Sequence, residues 1–280
     1  MEMPDLILLN IGFAEHYADW NYQRVNSPFA RIYLIHEGKA RLHLPDRVQD
    51  LTPGHLYIIP PFTTHSYECT DYFSLYYIHI YENQSSAERF LEDYIFPPEL
   101  SISSFDSMAI RRLQEINPNR ALKRYDPYEY DNSSTLMRTI SIHTQVPAET
   151  VLETNGLLYI LCSRFLKNAI HKYEVTDDRI RKVQRFIRMH IDEPVSIDEL
   201  SGICCLSKDH FIRLFKKEMG QTPVRYINQK KIEKAQLKII AGEQSIKDIA
   251  YSLAFDNISY FNRLFKMYTS VTPGEYKKSL

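Results

Sequence analysis

The sequence predicts two domains: an N-terminal all-β barrel with appended helices, and a C-terminal all-α domain built around a duplicated pair of helices. Three observations predict this. The 280 residues fall where single hydrophobic cores usually stop growing, near ~250–300 residues. The apolar pattern changes from short strand-like runs to helical stripes near residue 85. The charge is also split. Residues 1–176 carry 15 Lys and Arg against 22 Asp and Glu, a balance of −7, while residues 177–280 carry 19 against 13, a balance of +6. An acidic domain joined to a basic one accounts for the near-neutral total of −1.

Apolar content of 44% with 25% charged residues excludes wholesale disorder. No apolar run approaches the ~20 residues needed to span a bilayer, so no membrane partner is expected. The opening MEMPDLILLNIGF lacks the basic flank and small-residue site of a secretory leader. Cys69, Cys162, Cys204 and Cys205 have no metal-ligand or redox spacing, so reduced thiols in a cytoplasm are expected.

Taken in order, FARIYLIH (29–36) is rich in β-branched and aromatic residues and stops at Glu37-Gly38. Residues 39–44 alternate, with Ala40, Leu42 and Leu44 on one side. LYII (56–59) lies between Pro53-Gly54 and Pro60-Pro61, and residues 73–81 form a further strand. Short strands at this spacing indicate a small barrel or sandwich. Residues 86–95 and 105–116 read as helices. Residues 117–134 (NPNRALKRYDPYEYDNSS) are a polar connection, and 135–147 have no assignment. Residues 148–170 form a helix with a Leu157, Leu158, Leu161, Phe165 stripe, and 171–177 (HKYEVTD) a linker.

Everything beyond reads as helix. Residues 179–191 place Ile180, Val183, Ile187 and Ile191 on one face, and Pro194 ends that helix. Ser196 with Glu199, and Ser245 with Asp248, have capping-box spacing. Thr222-Pro223 and Thr272-Pro273 place a capping hydroxyl before a proline at the first helical position. These marks repeat. FIRLFK (211–216) matches FNRLFK (261–266) at an offset of 50, whereas Ser196-Ile197 matches Ser245-Ile246 at 49, so the second copy holds one extra residue near 257–259. Each copy reads as short helix, tight turn, second helix, with Ser207 and Asp256 capping second helices at about 208–219 and 257–268. This is the helix-turn-helix layout, whose second helix enters a major groove. Between the copies, 223–241 is a 19-residue helix, about 28 Å long at 1.5 Å per residue. Successive groove faces on one side of DNA lie ~34 Å apart.

These residues resemble the AraC/XylS family of bacterial transcription regulators. The resemblance covers about 177–278 and is strongest in SIKDIAYSLAFDNISYFNRLFKMYTSVTPGEYKK (245–278), with LSKDHFIRLFKKEMGQTP (206–223) as the weaker copy. It implies base-facing roles for Asp209, Ile212 and Arg213 in the first copy, and for Ile258, Ser259, Asn262 and Arg263 in the second. Arg forks onto guanine, Asn suits adenine and Ile packs on a thymine methyl. Lys208, Lys216, Lys217 and Lys266 are better placed for phosphates. Two departures stand out. The family's turn glycines are replaced by Cys205 and Ala254, so both turns are expected to manage without positive φ. Asp209 also puts a negative charge where DNA is expected, either to accept from cytosine or as a sign of a weaker first copy.

The N-terminal half resembles the family's cupin-like sensing domain in 35–38, LTPGHLYIIPPFTTHSY (51–67) and FSLYYIHI (73–80). The divisions that follow are 1–84 as a cupin-like effector-sensing barrel, 85–170 as a helical appendage with a dimerisation helix, 171–177 as linker, and 178–280 as an AraC-type DNA-binding domain. Metal-binding cupins use His-x-His, which is absent, so neither a metal nor another cofactor is expected. Strand alternation puts Phe73, Leu75, Tyr77 and His79 on one face, and Arg31 and Tyr33 on another. Trp20, Tyr22 and Arg24 lie in a segment before the barrel that would cover its mouth. The effector-pocket candidates are Trp20, Arg24, Arg31, Tyr33, His65, Tyr77 and His79, each weighed against a plain packing role. The resemblance offers a sugar as effector. The expected function is therefore an effector-controlled transcription activator, not an enzyme. Its partners would be promoter half-sites in double-stranded DNA, a second copy of itself and RNA polymerase. The rivals are a regulator whose barrel only dimerises, and a cupin enzyme fused to a DNA module; no nucleophile–base pair supports the latter.

Overall fold

The computed structural model describes residues 3–83, 89–130, 146–173, 175–242 and 244–278. These divide into two compact units, residues 3–83 with 89–170, and residues 171–278. The first is β-rich and the second helical, as the sequence predicts.

In the first unit, β1 (Leu6–Tyr17), β2 (Ala30–Gly38), β5 (His55–Ile59), β7 (Tyr72–Glu82) and the two-residue β8 (Leu100–Ser101) form one antiparallel sheet in the order β1-β7-β2-β5-β8. A second sheet holds β3 (Ala40–His43), β4 (Val48–Leu51) and β6 (Ser66–Glu68) in the order β4-β3-β6. The large sheet is buried on both faces. Tyr33, Ile35, Phe73, Leu75 and Tyr77 join an aromatic core with Leu42, Leu51 and Tyr67 of the small sheet. Ile32, Leu34, Ile78 and Ile80 point the other way, into a core shared with α1 (Phe90–Asp93), α2 (Ser104–Ile116) and α4 (Ala148–Leu166).

Double-sided burial explains why LILLNIGFAEHY (6–17) was not foreseen as a strand: its apolar run does not alternate. Because β1 comes first, the segment with Trp20 and Arg24 connects β1 to β2 rather than preceding the barrel. Two glycines are structural requirements. Gly38 has φ +75°, and a Cβ there would meet the Tyr72 carbonyl oxygen at 2.0 Å. Gly12, opposite Tyr77 in the ladder, lets the Tyr77 hydroxyl lie where a Cβ would stand at 2.3 Å.

Of the helix expected at 86–95, the described part is only Phe90–Asp93; Tyr94–Ile95 is extended. The 105–116 helix is observed as α2, started by a complete Ser103–Asp106 capping box. Within the polar connection lie a 3₁₀ turn (Pro118–Arg120) and α3 (Pro127–Tyr130). Residues 131–145, which include most of the unassigned 135–147, lie outside the described residues. Helix α4 ends at Leu166 rather than 170. Leu158, Leu161, Cys162 and Phe165 are buried against the sheet and α2, with Leu157 partly so.

The second unit contains α5 (Asp178–Met189), α6 (Ile197–Ile203), α7 (Lys208–Met219), α8 (Pro223–Ala241), α9 (Ile246–Ser252), α10 (Ile258–Thr269) and α11 (Pro273–Lys278). Ile180, Val183, Ile187 and Ile191 pack with Leu200, Phe211, Phe215 and Tyr226 around the first motif. The second motif buries Ile249, Leu253, Phe261, Leu264 and Phe265. Of the expected linker, residues 173 and 175–177 are anchored to the helical unit. Tyr173 and Val175 pack on the first motif's core, and the Glu218 carboxylate accepts the Thr176 and Asp177 amides.

Candidate nucleic-acid interface and barrel cavity

Both helix-turn-helix motifs start from the caps that the sequence marks. The Ser196 hydroxyl accepts the Glu199 amide and the Ser245 hydroxyl accepts the Asp248 amide. Thr222 accepts the Arg225 amide at the start of α8, and Thr272 and Glu275 cap each other reciprocally. The cap of α10 is Asn257, not Asp256: its Oδ1 accepts the Tyr260 amide at 2.9 Å. Ser207 holds the matching place before α7, without a side-chain bond. The extra residue of the second copy is thus absorbed in the turn.

The turns correct a further expectation. Cys205 and Ala254 each have φ 53°, the left-handed conformation that glycine adopts freely. The chain takes this bend with a Cβ present, at a cost of about 1–2 kcal/mol each. The helix ends repeat the geometry, with Gly220 at φ 67° and Ser270 at φ 69°.

Helices α7 and α10 align residue for residue. Arg213 and Arg263 are both sixth in their helices and both exposed. Asp209 and Ser259 are second and exposed; Ile212 and Asn262 are fifth and half-buried. Ile258, first in α10, is half-buried. Arg213 makes no ion pair among the described residues, and Arg263 lies over the Tyr260 ring at 5.4 Å. Lys216, Lys217 and Lys266 are exposed, whereas Lys208 is paired with Asp198 at 2.6 Å. The opposite faces supply Phe211, Phe215, Phe261 and Phe265 to the core.

Helix α8 joins the motifs, and Lys231 fastens both to it. Buried to 5% exposure, its ammonium donates to the Glu193 carbonyl (3.1 Å) beside the first motif and the Leu253 carbonyl (2.7 Å) in the second. Asn228 adds a 2.9 Å bond to the Tyr260 hydroxyl of α10. Nothing in the spacing of the sequence marked Lys231.

In the barrel, four of the seven effector-pocket candidates line one cavity: Trp20, Tyr33, Tyr77 and His79. Its volume is about 20 Å³, near the size of one water. Arg31 and His65 are buried beside these residues. Arg24 is exposed, at φ 54°, and does not line the cavity. Besides Ala14 and Leu75, the wall also holds His16, Leu122, Tyr125 and Tyr130, which the sequence reading missed. Continuing the strand alternation into β1 would have found His16; the other three come from the connection after α2.

The polar atoms here are ordered by a proton-directed chain. The Thr63 carbonyl can only accept, so His65 Nδ1–H donates to it at 2.7 Å. Nε2 then accepts from the Tyr67 hydroxyl at 2.7 Å, which accepts from Tyr33 at 2.8 Å. His65 is accordingly neutral, its pKa pushed down to about 3 by burial and then by the Arg31 charge. The same two causes lower His79 well below the usual histidine value. Burial raises the Tyr33 phenol well above its ordinary range. Arg31 donates to Ser27 Oγ at 2.6 Å and lies over the rings of Phe29 (4.7 Å) and Tyr130 (5.8 Å).

Among the described residues, no group of three or more His, Cys, Asp or Glu is placed to share a metal ion, and no helix is long and apolar enough to cross a membrane.

A family model described as an AraC-like ligand binding domain matches residues 10–123, and one described as a helix-turn-helix domain matches 200–279. The chain is 27% identical over 104 residues to YdeC, an uncharacterized HTH-type transcriptional regulator of Bacillus subtilis (strain 168), covering 37% of this chain and 36% of that one. It is 31% identical over 103 residues to the uncharacterized HTH-type regulator SAS0078 of Staphylococcus aureus (strain MSSA476), covering 37% of this chain and 14% of that one. The match thus spans about a third or less of these relatives' length. In fold, the chain is similar to wild-type ToxT of Vibrio cholerae strain SCE256 with an unsaturated fatty acid bound, at TM-score 0.52, with 18% identity and coverage of 100% and 98% of the two chains. A doubled helix-turn-helix unit, preceded by a β-rich unit matching the ligand-binding model, therefore means that the chain belongs to the AraC/XylS family of transcription regulators.

Proposed function

We propose that this chain is a cytoplasmic, sequence-specific DNA-binding transcription regulator that activates as a homodimer under the control of a small molecule held in its barrel. The observation that carries the reading is the matched placement of Arg213 and Arg263 on exposed faces of two equivalent helices. Each fork suits guanine O6 and N7, and Asn262 suits adenine. Lys216, Lys217 and Lys266 supply sequence-independent affinity for phosphates. Two reading helices tied to one 19-residue spacer suit half-sites one helical turn apart.

For the dimer, the outer side of α4 exposes Leu152 (77%) and Ile160 (36%), while its inner side is committed to the barrel. RNA polymerase is the proposed partner on the promoter. The effector acts by differential affinity: it binds one arrangement of the protein better and so shifts the population towards it. The role is binding, not catalysis. The similar ToxT structure carries an unsaturated fatty acid, which supports a small-molecule effector here; a sugar is the class suggested by family resemblance alone.

A gel shift and footprint on the DNA upstream of the protein's own coding sequence tests the reading. Salt-sensitive, sequence-preferring binding is expected, and Arg263→Ala should weaken it by about 1–3 kcal/mol while relaxing one base position. Binding that ignores sequence, or is unchanged in that variant, would remove the idea. One observation favours a second reading, a ligand-independent regulator whose barrel only dimerises: a cavity of about 20 Å³ is far below the ~300 Å³ of ordinary ligand pockets. A thermal-shift screen with sugars and metabolites separates the two, since a ligand of the native state raises its apparent stability.

A further inference from the structure

Arg213 and Arg263 hold equal places in their helices, but their surroundings differ. The Arg263 guanidinium lies over the Tyr260 ring, 5.4 Å from its centroid. Tyr260 is third in α10 and Arg263 sixth, so the two are neighbours on one helix face. In α7 the place of Tyr260 is taken by His210, and no Phe, Tyr or Trp ring lies under Arg213 among the described residues.

Tyr260 is itself held in place. The Asn228 side-chain amide of α8 donates to its hydroxyl at 2.9 Å, and its own backbone amide donates to the Asn257 cap at 2.9 Å. Its ring stands 6.3 Å from that of Phe255, which is buried and carries the Lys231 ammonium at 5.6 Å. Further along α10, the Tyr268 hydroxyl donates to the Arg225 carbonyl at 3.2 Å, a second tie to the first turn of α8. The ring is thus fixed at both ends, the hydroxyl by the spacer helix and the backbone by the cap.

How the guanidinium is used decides what remains for DNA. It has a flat face and N–H donors around its edge. A carboxylate takes the edge, as Asp177 takes Nε and Nη2 of Arg179 at 3.0 and 2.7 Å. A ring takes only the face. Arg263 makes no hydrogen bond or ion pair among the described residues, so its donor edge stays open. The fork onto guanine O6 and N7 needs that edge. A freely rotating arginine also loses rotamer freedom when it docks, and one already lying on a fixed ring loses less.

We propose that Tyr260 is a positioning residue for base recognition. Anchored to the spacer helix by Asn228, its ring holds the Arg263 guanidinium with the donor edge free, and so makes the second motif the more discriminating reader. This rests on the reading of α10 as a DNA-recognition helix and names the group that orients its arginine.

The full-length protein tests it on a duplex that the wild type selects from a random pool, on all single-pair variants of that duplex, and on an unrelated duplex of equal length. Arg263→Ala first marks the base pair that this side chain reads. Tyr260→Leu removes the ring and should lower discrimination at that same pair about two- to fivefold, the worth of an exposed guanidinium–ring contact. Affinity for the unrelated duplex and the slope of affinity against salt should not change. Tyr260→Trp supplies another ring and should restore most of the discrimination. Asn228→Ala leaves the ring but frees it, and should cost about twofold at the same pair; it serves if Tyr260→Leu fails to fold, which circular dichroism reports. In the Arg263→Ala background, Tyr260→Leu should have no further effect. In the DNA-free protein, the Arg263 Nε–H resonance should be shifted by the ring current of Tyr260 and move back in Tyr260→Leu. A loss spread evenly over all duplexes, with the salt slope reduced by about 1, would make Tyr260 a phosphate contact and overturn the proposal. So would effects additive with Arg263→Ala, or unchanged discrimination in the folded variants. A wild type that selects no sequence sinks the regulator reading and this role together; a selected site whose recognition ignores Tyr260 sinks this role alone.

Discussion

His65 and His79 are neutral because the barrel interior excludes water and already holds the Arg31 charge. The consequence for stability has a definite sign. An unfolded histidine takes up a proton near pH 6.5, whereas His65 in the folded protein does so only at about 3. Between those values the unfolded state binds more protons, so stability is full above pH 6.5 and declines as pH falls. Each such histidine adds about 1.4 kcal/mol per pH unit to that decline. Denaturant unfolding between pH 7 and 4 should show the slope, and His65→Asn should reduce it by one histidine's share, whatever it does to stability at pH 7. A second residue-scale prediction concerns the turns. Relief of left-handed strain outweighs the chain entropy of glycine, so Cys205→Gly and Ala254→Gly should each stabilise by about 0.5–1 kcal/mol in equilibrium unfolding. A loss of stability in both would contradict the φ of 53°.

At the scale of elements, the two reading helices are equal in geometry and unequal in charge. Helix α7 carries Lys216 and Lys217 near its end but Asp209 in its first turn and Lys208 tied to Asp198; α10 has no acidic residue in its first turn. Arg263→Ala should therefore cost more affinity than Arg213→Ala, and Lys216→Ala should lower the salt slope by about 1 while weakening all sequences alike. Titrations at several salt concentrations check both. Helix α8 fixes the spacing of the two readers through Lys231. Replacing it by Met leaves the Glu193 and Leu253 carbonyls without that donor, which should destabilise the domain by about 2–3 kcal/mol. Binding to a complete site should fall more than binding to either half, because the separation of the motifs is no longer held.

The molecule as a whole has separate cores for its two units. Residues 171–278 bury their own stripe of Ile180, Val183 and Ile187 and cap their own helices, so this portion should fold alone and bind half-site DNA without responding to effector. Circular dichroism and gel shifts on the fragment check this. Helix α4 has its inner residues engaged, so Leu152→Asp should leave the Tm within a degree or two, since exposed substitutions rarely exceed ~0.5 kcal/mol. The same variant should convert a dimer to a monomer in sedimentation; an unchanged dimer would place the seam elsewhere.

Much of the helical unit was legible because its signals are local. Capping hydroxyls, the prolines at 223 and 273 and the 49–50-residue repeat act within a few residues of where they stand, and α8 runs between the residues that they mark. The aligned arginines followed from the same repeat. The strand β1, the wall formed by His16, Leu122, Tyr125 and Tyr130, and the double anchorage of Lys231 depend on segments far apart in the chain. A strand buried on both faces loses its alternation, and a tyrosine in a polar connection gives no sign of the cavity that it lines. Sequence alone determined the two-domain class, the duplicated motif and its exposed arginines, because each follows from local periodicity and caps. Tertiary structure decided which rings from the connection after α2 line the barrel cavity and that Cys205 and Ala254 bend with positive φ, because those outcomes are set by which distant surfaces meet.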